Sequence, residues 1–150
     1  MKYLLLYPLL LVSVLFSNEA QNLSSKSSML QHRMGQVAMQ QNQDVFVPIG
    51  KYLQQGDAEK LSAWFANNLE LDILGTINDC SKIQATQIMK DFFSKYTPKS
   101  FTITHKSGNP PMKYAIGTLN AGGEKFRTTI FVKTQEKGNL IQQLRIEKEE

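Results

Sequence analysis

Side chains able to move protons or hold metals are few in this chain. It has two histidines, His32 and His105, and one cysteine, Cys80, among 150 residues. His105 lies in FTITHKSGNPPMKYAIGTL, which reads as a β-hairpin with Tyr114 on the facing strand. An imidazole beside a phenol could act as a base or donor while the phenol orients a ligand. Chemistry of that kind also needs a carboxylate in apolar surroundings, where loss of water tunes its pKa. Glu70 and Asp72 alternate away from Leu69, Leu71 and Ile73, and so face outward. Asp91 falls on a polar helical stripe one turn before Lys95, which reads as a surface ion pair. With no acid expected on an inner face, the sequence assigns no catalytic residue. His105 and Tyr114 remain the candidates, and His105 reads first as part of a wall. Cys80 reads as a partly buried free thiol, and the two histidines and one cysteine share no metal-ligand spacing. Gly108, Gly122 and Gly123 read as turn glycines, not a phosphate cradle. No cofactor is implied.

The elements that must position these groups begin at Asp44. VFVPIGKYLQQ predicts a helix at least from Pro48 to Gly56, since proline suits a first turn and glycine a stop. Asp57 then caps a second helix, DAEKLSAWFANN, with Ala58, Leu61, Trp64 and Phe65 on one face. LELDIL alternates as a strand, and residues 76–79 form a turn or short return strand. Ser81 opens a third helix, with Gln84 completing a capping box and Ala85, Ile88, Met89, Phe92 and Tyr96 on the buried face. Long strands follow. The preferred register sets Phe101, Ile103 and His105 opposite Thr118, Ile116 and Tyr114 around a loop at residues 108–111, and then Tyr114, Ile116 and Thr118 opposite Ile130, Thr128 and Phe126. LIQQLRIE supplies the last strand. The fold class is α+β: three N-terminal helices packed on a strongly bent mixed or antiparallel sheet.

The N-terminal end reads differently. Residues 3–16 form an apolar run after Lys2, interrupted by Pro8 and closed by polar Ser17, Asn18 and Glu19. The run is shorter than the roughly 20 residues a spanning helix needs, so residues 1–20 read as a signal peptide. The expected location is periplasmic or extracellular, with a retained anchor as the alternative. No cysteine directly follows the run, which disfavours a lipoprotein. Residues 21–43, rich in Gln, Ser and Asn, read as a flexible leader before one domain at residues 44–150. One cysteine cannot make an internal disulfide, so the fold depends on its core. The net charge of +4 comes from lysines scattered among acids, which argues against nucleic-acid binding.

The blocks GDAEKLSAWF, SKIQATQIMKDFF, KSFTITHKSG, KYAIGTL, EKFRTTIFVK and IQQLRIEK occur in that order across about residues 44–148. This order resembles the cone-shaped superfamily of nuclear transport factor two, ketosteroid isomerase and scytalone dehydratase. More closely, it is similar to a family of exported bacterial proteins of unknown function with that cystatin-like fold. The resemblance implies a fold and a cavity, and no activity. A pocket would be lined by Trp64, Phe92, Ile103, His105, Tyr114 and Ile116. The strand at residues 126–133 is apolar on both sides, so its second face, with Arg127, Phe131 and nearby Arg145, would meet a partner or a second copy. The expectation is a non-catalytic exported module that binds a small amphiphilic molecule in the pocket or a protein on the sheet. An isomerase- or lyase-like enzyme and a structural dimer of the envelope are the alternatives.

Overall fold

A computed structural model describes residues 27–31 and 44–150. Residues 27–31 form a short exposed helical segment. The signal peptide and the remainder of the leader lie outside the described residues. Asp44–Glu150 form one compact unit.

Helix α1, Phe46–Gln55, starts two residues before Pro48, where the Asp44 carboxylate accepts the Phe46 backbone N–H at 3.0 Å. It stops at Gly56, whose φ of 65° suits a residue without a Cβ. Asp57 caps α2, Ala58–Ser62, by accepting the Lys60 N–H. The second helix was expected to run on to Asn68, but it ends at Ser62, and Phe65 already opens strand β1, Phe65–Ile73. The reason is tertiary. Phe65 is registered against Ile141, whose N–H donates to the Trp64 carbonyl, and aromatic and asparagine residues have little intrinsic helical preference to oppose that pairing.

Strand β2, Thr76–Ser81, returns along β1 and leads into α3, Lys82–Lys95. Both halves of the expected capping box form: the Gln84 N–H donates to Ser81 Oγ, and the Ser81 N–H donates to Gln84 Oε1. Thus, within Asp44–Glu150, two helices precede the first hairpin and the third follows it, in place of three helices ahead of the sheet. Strands β3, Pro98–Asn109, β4, Met112–Ala121, β5, Glu124–Gln135, and β6, Gly138–Lys148, complete the chain. The six-stranded sheet runs β2-β1-β6-β5-β4-β3, with only β1 and β6 parallel.

Burial alternates along the strands, and the register decides which side chains meet the helices. Phe101 pairs with Leu119, and Tyr114 with Phe131, each one residue from the expected register. Leu119, Phe126, Ile130, Val132, Leu144 and Ile146 therefore form the covered face with Leu53, Leu61, Met89 and Phe92. Each fully buried side chain of this kind contributes about 1.5–3 kcal/mol. Tyr114, Ile116 and Thr118 point to the other side. A bulge between Ile103 and His105 separates those two residues: Ile103 packs toward the core, while His105 stands opposite Ile116 on the far face.

Candidate functional site

The register carries the candidate residues to two sides of the sheet. On the covered side, Phe92 is buried in a cluster with Phe126, 5.4 Å between ring centroids, and Tyr96, 5.2 Å away. Phe93 stands edge-on to Phe92, and the Phe101 ring lies against Gly117. Trp64, in the connection between α2 and β1, and Ile103 are partly buried against the same core. Of the six residues expected to line one pocket, Phe92, Trp64 and Ile103 thus belong to this packed side. His105, Tyr114 and Ile116 do not join them.

Those three lie on the face turned away from the helices, together with the residues expected at an interface. His105 on β3, Tyr114 on β4 and Phe131 on β5 form a row of rings across three adjacent strands. The His105 and Tyr114 centroids are 5.9 Å apart at 45°, and Tyr114 and Phe131 are 5.6 Å apart at 33°. Ile116 extends the row between His105 and Thr129. Tyr114, Ile116 and Phe131 are half-buried by their neighbours and His105 is exposed. Aromatic rings at such separations attract one another beyond their area burial.

Charge borders the rings. Arg145 Nε lies 3.0 Å from Asp72 Oδ2, with Asp72 only 6 % exposed, and Asp72 Oδ1 has no hydrogen-bond partner among the described residues. Gln143 donates to the Glu70 carboxylate, and Arg127 is exposed opposite Glu147. The expected interface residues Arg127, Phe131 and Arg145 therefore do share one face with Tyr114.

Chemically, this row can stack, bury apolar area and offer charge of both signs. Its imidazole has no carboxylate partner and makes no hydrogen bond among the described residues; its contact is the Tyr114 ring. The expected Asp91–Lys95 pair does not form. Gln87 Nε2 donates to Asp91 at 2.9 Å, and the Lys95 ammonium lies over the Tyr96 ring instead. Cys80 is buried with its thiol toward the Leu69 carbonyl. Burial and the Asp79 charge push its pKa up, which works against thiolate chemistry. Among the described residues, no group of three or more His, Cys, Asp or Glu could hold a metal ion, and no helix is long and apolar enough to cross a membrane.

That His105, Tyr114 and Ile116 share one surface with the interface candidates was not foreseen from the sequence. The available signal was Gly117. An isolated glycine within a strand marks a close approach, here by Phe101, and it sets the register that turns Tyr114 outward.

Residues 46–147 match the family profile of a domain of unknown function, DUF4783. A crystal structure of a DUF4783 family protein from Bacteroides uniformis superposes with a TM-score of 0.69 at 23 % identity, covering 71 % of this chain and 99 % of the other. One from Bacteroides ovatus gives 0.68 at 26 %, covering 73 % and 98 %. At the level of fold alone, a cystatin-like domain of unknown function from Nostoc punctiforme gives 0.58 at 10 % identity, covering 70 % and 73 %. An NTF2-like family protein from Streptomyces avermitilis gives 0.56 at 14 %, covering 69 % and 90 %. No curated protein matches the chain.

Proposed function

This chain belongs to the DUF4783 family, a domain of unknown function, and we propose that it is an exported, non-catalytic binding module that engages a protein partner on its sheet. The observation that carries this reading is the row His105, Tyr114 and Phe131 across β3, β4 and β5, on the face opposite the helices. A half-buried aromatic row with arginines at its border has the composition of a protein-binding core, where Tyr, Phe and Arg are enriched. The apolar run at residues 3–16 supports export. The small-molecule branch of the expectation has less support, because its six residues fall on two sides of the sheet. The isomerase- or lyase-like alternative on His105 and Tyr114 lacks the neighbouring carboxylate that such proton transfer uses.

A second copy of the chain is the alternative partner, favoured by one observation. Arg127 and Arg145 share the face with Glu70, Asp72 and Glu147, so the surface carries both signs and can complement itself about a two-fold axis.

The test places a photo-reactive phenylalanine analogue at position 131 of the chain expressed in its own cells, with the same group at exposed Ile83 as control. A discrete cross-linked product from position 131 alone supports the reading, and its mass separates a second copy from a different protein. Equal labelling from both positions, or none from position 131, would overturn it.

A further inference from the structure

The parallel pair of β1 and β6 parts between Phe65 and Glu70. Phe65 stands opposite Ile141 and Glu70 opposite Gln143, so residues 66–69 of β1 face Gln142 alone. The β1–β2 ladder begins only at Asn68, which leaves Ala66 and Asn67 paired in neither ladder. Two open clefts, of about 600 and 610 Å³, share Asn68 and Gln142 as walls. The side-chain nitrogen of Gln142 is buried there with no hydrogen-bond partner among the described residues. A buried donor without an acceptor is a standing cost to the folded state, and a bound acceptor would remove it.

The two clefts differ in charge. One is bordered by Glu70 and Asp79 and by no cation. The other holds Lys82 and Lys137 with the single acid Glu136. Glu70 accepts from Gln143, whereas Asp79, Lys82 and Lys137 enter no ion pair among the described residues. Between the charged ends stand the amides of Asn67, Asn68 and Gln142. The only aromatic residue in the lining, Phe65, is 1 % exposed, so no ring is available on which a sugar or nucleobase could stack.

We propose that this parted strand pair is a binding site for a short extended peptide. The peptide's ammonium end lies toward Glu70 and Asp79 and its carboxylate toward Lys82 and Lys137. Gln142, its side chain turned from the buried position, donates Nε2 to one of its carbonyls, and the amides of Asn67 and Asn68 meet its main chain. Extended peptides add to a sheet through main-chain hydrogen bonds to strand backbone that no neighbouring strand has taken, and Ala66 and Asn67 of β1 are paired in neither ladder. The site shares no residue with the aromatic row and only Glu70 with the charge that borders it, so its amide wall is tested apart from that row.

The experiment titrates trialanine into the 15N-labelled chain and follows its backbone and side-chain amide signals. Saturable shifts are expected at Gln142, Asn67 and Asn68, with none at His105 or Tyr114. Gln142→Leu is expected to keep the fold, checked by its thermal midpoint, and to weaken binding at least tenfold. Asn68→Ala, at an exposed position, serves the same purpose should Gln142→Leu fail to fold. Acetylated and amidated trialanine, without terminal charges, is expected to bind more weakly than the free peptide. Absence of saturable shifts up to millimolar peptide, equal affinity in the folded variants, or shifts confined to the aromatic row would overturn the proposal.

Discussion

Arg145 shows how one residue can serve both the folded state and the proposed surface. Its guanidinium lies against Asp72, whose side chain is 8 % exposed while that of Arg145 is 41 % exposed. Removing the arginine leaves a nearly buried carboxylate without its cation. Arg145→Ala is therefore expected to destabilise the domain by about 1–3 kcal/mol, below the full value for a buried pair because Arg145 is partly in water. Urea unfolding checks this, and replacing both partners by leucine should recover most of the loss. An Arg145→Ala midpoint equal to wild type would mean that water or a nearby donor already satisfies Asp72. His105 gives the opposite expectation. It is exposed and bonded to nothing but the edge of a ring row, so His105→Ala should change stability by less than about 0.5 kcal/mol. A loss of several kcal/mol in the same measurement would show a structural role that its surroundings do not display.

Hairpin β3–β4 is where sequence and structure part. The stop of α1 and the starts of α2 and α3 were legible because Gly56, Asp57 and Ser81 act through their own local chemistry, and the Ser81–Gln84 box forms as its spacing predicts, whereas the end of α2 is set by the pairing of Phe65. The strand faces were not legible from alternation, because β3 and β4 carry apolar residues on both sides and a one-residue slip leaves either pattern plausible. The bulge at Ile103–His105 adds a change of side that no periodicity announces. Gly117 supplies the missing constraint. A Cβ there would meet the Phe101 ring at 2.6 Å and the Thr102 carbonyl oxygen at 2.7 Å, and the backbone contact cannot yield as a flexible side chain would. Gly117→Ala is expected to cost about 1–3 kcal/mol through overpacking. Thermal unfolding provides the measurement, with Gly123→Ala as a control for strain without collision, since nothing lies within 4 Å of its Cβ. A wild-type midpoint for Gly117→Ala would show that Phe101 does not hold this register. The candidate site was legible as residues and not as a surface, since Tyr114 and Phe131 come together only after the register is known.

At the scale of the whole folded unit, one contact joins its beginning to its sheet. The Lys106 ammonium on β3 pairs with the Asp44 carboxylate, which also receives the Phe46 N–H that starts α1. Burial raises the pKa of Asp44, but the hydrogen bond from Lys106, the Phe46 N–H and the charges of Lys106 and Lys113 outweigh it, leaving the pKa below the ordinary carboxylate value. A depressed folded-state pKa means that the unfolded chain binds this proton more tightly. The contribution of Asp44 is therefore complete above the usual carboxylate range, about pH 4, and is lost as pH falls through it toward the lower folded value. Both groups touch water, with Asp44 34 % and Lys106 49 % exposed, so the contribution at neutral pH should stay under about 1 kcal/mol. Lys106→Met keeps the length and apolar stem of the side chain and removes its charge. Urea midpoints measured from pH 7 to pH 3 should show the variant weaker than wild type at neutral pH, with the two curves converging in acid. Curves that stay parallel over the whole range would mean that Asp44 owes its lowered pKa to the Phe46 N–H and Lys113, and that apolar packing around Phe101 fixes α1 to β3 without the ion pair.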